Sequence, residues 1–423
     1  YTDCFADAHN LKAMLGFNYE TKHLKDVTST GYNLMSNSLN DLNLTGTDDE
    51  GNKRTENKGG QNEYAIAGFF GRINYDYNGK YLLELSGRYD GTSRFAQDSR
   101  WGFFPSGSVG WKLSEEDFFS EAKNTVNLLK LRYSFGALGN QQVGYYAYLR
   151  SVTIAKQAYL FGGDQSLAAS LGDPVASNLT WETSQQHNLG VDVGLLSNRL
   201  NFTAEAYIRD TKGMLSDGIA LPAVYGAGSP KMNVADLRTK GYELSLSWRD
   251  HFKISNHPVH YNVSVVFSDY VSDITKFSNP DKTLSKTYYE GMRYGEIWGY
   301  HIDGLFASDE EAAEYCKNVN MANVNGIIID SPSHGFVAGD LKYADLDGSG
   351  KIDAGAGTVD DPGDRRIIGN SQPRYNYGIT LGLNFAGFDF SIFLQGVGHR
   401  DWYPGGEASA FWSVYCRPYA TMI

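Results

Sequence analysis

The residues best equipped for chemistry lie between positions 345 and 364. Asp345-Leu-Asp347-Gly-Ser349-Gly350-Lys351-Ile352-Asp353 sets hard oxygen donors at alternate positions, a spacing that wraps a calcium ion. Asp345, Asp347 and Ser349 take the first, third and fifth places of such a loop, Gly350 takes the sharp turn, and the Lys351 carbonyl adds another oxygen. The twelfth place is Ala356, not the bidentate Glu such a loop wants; Asp360, Asp361 or Asp364 can supply that ligand if residues 354–359 loop out. The expected metal set is therefore Asp345, Asp347, Ser349, Lys351, Asp353, Asp361 and Asp364, around a structural Ca2+. The alternative is an acidic, glycine-rich turn that holds no ion.

Aromatic side chains recur in the same part of the chain: Tyr288, Tyr289, Trp298, Tyr300, Trp402, Tyr403 and Trp412. Ring faces bind sugars and peptides alike, so Trp298, Tyr300, Trp402 and Tyr403 are the candidate substrate platform, against the alternatives of loop packing and an interfacial aromatic girdle. His251, His257 and His260 cluster near a turn, at a spacing that fits no helical metal motif. Gly226-Ala-Gly228-Ser-Pro-Lys231 lacks the Gly-Lys-Ser/Thr ending of a phosphate loop. There is no nucleophile-elbow serine and no supported Cys/His pairing, so no catalytic residue is assigned and no enzyme is expected. Cys4, Cys316 and Cys416 are odd in number and far apart, which is neither a disulfide framework nor a zinc pattern, though one bridge is open to them. A net charge of -12 without basic clusters excludes nucleic acid as a partner.

The elements that position these residues follow a period of two. Between Glu63 and Tyr77, Ala65, Ala67, Phe69, Ile73 and Tyr75 share one face, while Arg72, Asn74 and Asp76 share the other. After Asn78-Gly79, a tight-turn signal, Tyr81, Leu83, Leu85 and Tyr89 oppose Glu84, Ser86, Arg88 and Asp90. Each arm runs for roughly 10 to 15 residues, longer than soluble strands and long enough to cross a bilayer at a tilt. About eleven such strands can be marked: the two arms just described, one near Leu11–Tyr19, and others centred on Gly107, Arg132, Asp192, Glu205, Ser245, Ser264, Thr380 and Ser391. Their connections alternate between short or medium and long, the long ones at 26–61, 91–100, 139–183, 213–238 and 274–373. That sidedness belongs to an outer-membrane barrel, with the long loops outside. No run of about 18 apolar residues exists, so no transmembrane helix is expected. Ser114-Glu-Glu-Asp117 carries an N-cap serine and an acidic first turn, which predicts a short helix. The inward charges Arg72, Glu84, Arg88, Asp90, Arg132, Asp192, Glu205, Glu243 and Arg249 need water, a plug or each other. An odd strand count, no visible signal peptide and an end at Met422-Ile423 outside any strand lead to the expectation that both ends of a longer chain are missing.

Several segments resemble the SusC/RagA branch of TonB-dependent outer-membrane transporters. They are Gly87-Arg-Tyr-Asp-Gly-Thr-Ser-Arg-Phe95, Trp101-Gly-Phe-Phe-Pro-Ser106, Gly110-Trp111, Leu128-Leu-Lys-Leu-Arg-Tyr-Ser-Phe-Gly136 with Gly139-Asn140, and Asn178-Leu-Thr-Trp-Glu-Thr183. Further on come Asn198-Arg-Leu200, Lys240-Gly-Tyr-Glu-Leu-Ser-Leu246, Trp298-Gly-Tyr-His-Ile-Asp-Gly-Leu-Phe306, Asp345-Leu-Asp-Gly-Ser-Gly350 and Ile368-Gly-Asn370, in the family's order. The resemblance implies an all-β, antiparallel transmembrane barrel of about 22 strands, of which residues 1–423 form part of the wall and 274–373 a long extracellular region. It also implies a plug domain, a SusD-like surface lipoprotein as lid, energy through TonB, and import of oligosaccharides or oligopeptides. The competing expectations are an adhesive or structural surface barrel and a barrel whose loops carry a hydrolase.

Overall fold

The computed structural model describes residues 1–403 except 35, 37, 39, 48–49, 53–54, 177, 219–220, 286–287 and 326–334. The first six strands are β1 (Thr2–Phe5), β2 (His9–Gly31), β3 (Thr55–Tyr77), β4 (Tyr81–Thr92), β5 (Trp101–Lys112) and β6 (Val126–Asn140). A separate hairpin follows, β7 (Val152–Phe161) and β8 (Asp164–Leu171). The wall resumes with β9 (Glu182–Leu195), β10 (Leu200–Asp217), β11 (Lys231–Ile254) and β12 (His257–Lys276). An exterior region holds β13 (Glu296–Tyr300), β14 (Ile302–Leu305), helix α1 (Asp309–Asn318), β15 (Leu341–Tyr343) and β16 (Arg365–Asn370). The chain then returns to the wall as β17 (Arg374–Phe385) and β18 (Phe388–His399).

Twelve strands form one antiparallel sheet in which spatial order follows chain order: β1 to β6, β9 to β12, then β17 and β18. All the expected strands are in it, joined by the short β1. Register explains the sorting of faces. Leu11, Tyr75, Leu83, Val109, Tyr133, Leu189, Ala206 and Tyr242 are successive cross-strand partners, an apolar row over eight strands. One residue along, Lys12, Asn74, Glu84, Ser108, Ser134 and Asn188 form a polar row on the other face. A one-residue slip would exchange the two faces. Leu15 is 90% exposed, Phe103 63% and Leu189 62%, so the apolar face looks into lipid rather than into a protein core. Among the described residues no helix is long and apolar enough to cross a membrane.

Tight turns close one end of the wall. Ala6-Asp7, Asn78-Gly79, Ser255-Asn256 and Ala386-Gly387 all have both central residues at positive φ, as type I′ hairpins require. The strands outrun their hydrophobic pattern at the other end. Much of 26–61 and of 213–238 is ladder: Thr28 pairs with Lys58 and Ser216 with Met232. The 26–31 and 55–60 extension is exposed on both faces, so alternation does not mark it, while the 213–238 extension packs Leu215 and Leu237 on exterior cores. The connection across 249–260 is likewise strand up to a two-residue turn, and 139–183 contains the β7–β8 hairpin.

The short helix expected at Ser114–Asp117 is three 3-10 turns instead, over Leu113–Glu115, Asp117–Phe119 and Ala122–Asn124. Glu116 is extended (ψ 148) and interrupts them. Its carboxylate is engaged at the membrane edge, accepting from the Tyr81 hydroxyl at 2.7 Å, the Trp111 indole N–H at 2.9 Å and the Lys80 ammonium at 3.3 Å. The Tyr81 hydrogen bond leads these contacts in holding the Glu116 carboxyl below the usual carboxylate range.

The wall's own charges pair from strand to strand. Arg72 on β3 lies 3.7 Å from Glu84 on β4, while Arg88 meets Asp90 two places along its own strand at 2.9 Å. Arg132 on β6 meets Asp192 on β9 at 3.1 Å and Glu205 on β10, and Asn188 donates to Glu205 at 2.6 Å. On the exterior side Phe95, Phe104, Leu179 and Trp181 form a small core, and the Trp181 indole N–H donates to the Arg100 carbonyl at 2.8 Å. Phe104 lies flat against two glycines: a Cβ at Gly139 would stand 2.1 Å from its ring, and one at Gly102 2.6 Å. The ring is buried and packs edge-on against Trp181, centres 5.3 Å apart, so it is not a free end that swings aside at no cost. Gly139→Ala is therefore expected to destabilise by about 1–3 kcal/mol, the usual cost of overpacking. Thermal unfolding of purified protein checks this; an unchanged melting temperature would mean that the ring moves freely.

Candidate functional site

The exterior region is built on two small cores. Ile274, Tyr289 and Met292 are buried in the first, with Phe277, Leu284, Tyr288, Trp298 and Val359 against them. The second gathers Phe306, Ala312, Cys316, Val319, Met321, Phe336 and Ile352, with Tyr300, Tyr315 and Tyr343 packed on it. Helix α1 supplies Ala312 and Cys316. Its start is a local sequence device. The Ser308 hydroxyl accepts from the Glu311 N–H at 3.2 Å, and the Glu311 carboxylate reaches back to the Ala307 N–H at 2.8 Å. Ser308-Asp-Glu-Glu311 ahead of Ala312 is the signal that marks this helix, and the two-residue period had hidden it.

The acidic loop is stitched to this core. Asn320, just past α1, donates to the Gly350 carbonyl at 2.9 Å and accepts from Ile352 N–H at 2.8 Å, and Ile352 is fully buried. Asp364, also fully buried, clamps both ends of the loop. One oxygen accepts from Leu346 N–H at 2.7 Å, the other from Asp353 N–H at 2.8 Å. Asp345 accepts from Ser349 and Gly350 N–H at 3.1 and 2.9 Å, and Asp347 from Ser349 N–H at 2.8 Å. Oxygens of Asp345, Asp347 and Asp364 all lie within 4.8 Å of one another. These three of the seven expected ligands come together. Asp353 instead pairs with the Lys351 ammonium, which holds its carboxyl below the usual range. Asp361 accepts from Ala356 N–H at 3.1 Å, and the Lys351 carbonyl accepts from the Ser349 hydroxyl at 3.1 Å. Three converging carboxylates repel one another, and a hard divalent cation is the natural charge to relieve them.

The four candidate aromatics are divided. Trp298 packs in the first exterior core, and Tyr300 sits edge-on to Tyr343, ring centres 6.0 Å apart. Burial leads in pushing the Tyr300 hydroxyl pKa up. Trp402 and Tyr403 are 69% and 68% exposed. Trp412 and Cys416 lie outside the described residues, while Cys4 is exposed on β1 and Cys316 is buried.

A cleft of about 610 Å³ opens between the end of β12 and the β13–β16 ladder. Its lining includes Asp273, Arg293, Glu296, Arg374, His399 and Asp401. Most of these charges are paired. Arg293 meets Asp273 at 3.1 Å, Arg374 meets Asp269 through two hydrogen bonds of 2.6 Å, and Asp401 accepts from Asn370 N–H at 2.7 Å. Asp401 leads in sequence into the exposed Trp402 and Tyr403, but neither ring lines the cleft. A cleft with these side chains can hold a neutral or zwitterionic molecule by hydrogen bonds.

The family model described as TonB dependent receptor-like, beta-barrel, matches residues 3–414. TonB-dependent receptor P3 of Formosa agariphila is 30% identical over 403 residues, 92% of this chain and 37% of that protein. TonB-dependent receptor SusC of Bacteroides thetaiotaomicron is 27% identical over 347 residues, 78% of this chain and 31% of that protein. Among solved structures, the RagAB peptide transporter superposes with a TM-score of 0.69 at 22% identity, covering 93% of this chain and 40% of that one. The chain thus spans well under half the length of the relatives it matches. A wall apolar on one face and polar on the other, tight turns at one end, long structured loops at the other, and a match over nearly the whole sequence lead to one conclusion: the chain belongs to the TonB-dependent receptor-like β-barrel family of the bacterial outer membrane.

Proposed function

We propose that this chain forms part of the wall and the exterior binding region of a SusC/RagA-type importer. Its cargo is an oligosaccharide or an oligopeptide. The observation that carries the reading is the cleft lined by Asp273, Arg293, Glu296 and Arg374 at the loop end of a wall that is apolar toward lipid and largely polar on its inner face. Import, rather than chemistry on the cargo, suits a cleft whose charges neutralise one another. The names of two relatives, SusC and the RagAB peptide transporter, support the same reading. In this reading a SusD-like lipoprotein closes the exterior mouth, and TonB supplies the energy from the periplasm. Cells lacking the complete transporter, or lacking TonB, are expected to stop accumulating labelled oligosaccharide or oligopeptide. Uptake of both cargo classes at the parental rate in both strains would sink the proposal.

The same reading gives the acidic loop a structural calcium ion. Asp345, Asp347 and Asp364 supply hard oxygens, and backbone carbonyls and water complete the shell. The ion's task is to fix the loop against the α1 core. At a free calcium concentration 100 times its Kd, binding stabilises the region by about 2.7 kcal/mol. Calcium is therefore expected to slow proteolysis within 339–370, and a chelator to reverse this. Asp345→Asn with Asp364→Asn removes two charges and is expected to abolish the calcium effect. Equal cleavage rates with calcium and with chelator would dismiss the ion.

A further inference from the structure

The histidines whose spacing fits no helical motif acquire a meaning from register. His251 on β11 and His260 on β12 are direct cross-strand partners. Their rings face one another, centres 5.5 Å apart and planes 28° from parallel. Both side chains are exposed. Between His251 and the wall's centre the ladder has no bulge, so His251 shares the face of Glu243, Ser245, Ser247 and Arg249. His260 shares the face of Asn262 and Ser264, and its partner on β17 is Asn384. Both imidazoles therefore point into the lumen, four residues from the Ser255-Asn256 turn at the periplasmic end. His260 also lines a cleft of about 420 Å³, together with Arg249, Asn262 and Asp389. His257 is close in sequence but lies on the opposite face, where its ring meets Phe385 at 6.4 Å.

We propose that His251 and His260 form a two-histidine site for a borderline divalent metal ion such as Zn2+, Ni2+ or Cu2+, at the periplasmic mouth of the lumen. The chemistry is specific to imidazole. A metal–nitrogen bond of about 2.0–2.1 Å is met when one nitrogen from each ring turns toward a shared point, and side-chain torsions suffice for rings that already face each other. The strands fix the backbone on both sides, so little ordering is left to the moment of binding. Water or a carboxylate completes the coordination shell; Asp389, hydrogen-bonded to Asn384, stands further along the same row. Calcium and magnesium prefer oxygen and pass this site by, which separates it from the acidic loop at the far end of the wall.

The test uses the complete, untagged transporter in detergent, titrated with Ni2+ and with Zn2+ by calorimetry in the presence of saturating calcium. The wild-type protein is expected to bind one equivalent that His260→Asn weakens at least tenfold, and His251→Asn equally. His257→Asn, on the lipid side, is expected to leave that equivalent unchanged. With Cu2+, electron paramagnetic resonance should show nitrogen coupling in the wild type and in His257→Asn but not in the His251→Asn, His260→Asn double variant. A thermal melt of each variant shows whether it is folded. Equal loss in all three single variants, or no loss in a folded double variant, overturns the site.

Discussion

The structure depends on the bilayer's refusal to hydrogen-bond the backbone. At membrane depth an unpaired N–H or C=O costs several kcal/mol, so strands survive there only when each is laddered to its neighbours. Here that constraint ladders twelve strands into one sheet in chain order, and the apolar–polar alternation and the turns set its register. Register in turn decides which side chains meet lipid and which meet the lumen, because a shift of one residue exchanges the two. Turns that match the right-handed strand twist hold the register at one end, and the structured exterior region holds it at the other.

Once the faces are set, the wall has to pack without an interior. Leu, Phe and Tyr on the outer face meet lipid and one another, as where Phe17 meets Phe69 and Tyr89 stacks on Trp101. The inner face is mostly small and polar, with Met14, Phe70 and Tyr207 among the larger side chains, and charges pair across it. Arg132 bridges three strands through Asp192 and Glu205. Glycines let large side chains lie flat across the sheet. A Cβ at Gly16 would stand 2.2 Å from Phe70, one at Gly241 2.6 Å from Tyr207, and one at Gly396 2.4 Å from Tyr377. This is cover for a position that would otherwise weaken a strand, and it gives a physical use to many of the 47 glycines.

The wall was legible because the period of two is imposed by the solvent contrast itself. Leu11, Tyr75 and Leu83 alternate with Lys12, Asn74 and Glu84 wherever lipid faces water. Legibility failed where that contrast ends. Thr28 and Lys58 belong to a ladder wetted on both faces, and the residues themselves carry no sign of it. At Ser114–Asp117 a sound capping pattern lost to tertiary contacts, since Glu116 is held by Tyr81, Trp111 and Lys80. The acidic loop was half legible. Asp345 and Asp347 are local, but the choice of Asp364 over Asp353 rests on burial, which draws Asp364 under the loop and leaves Asp353 to Lys351.

The histidine pair shows what kind of site escapes a reading by motif. Helical motifs place ligands at fixed separations, because the helix repeats. A hairpin does not; it places together residues equidistant from its turn. With the turn at Ser255-Asn256, Ile254 pairs with His257 and His251 with His260, so one histidine of the three is sent to lipid and two are brought face to face. The separation of nine positions means nothing until the turn is located. Ser255-Asn256 adopts the geometry of Asn78-Gly79 but lacks the glycine that advertises it. In a barrel, the position of each turn is therefore as much a part of the chemistry as the identity of the ligands.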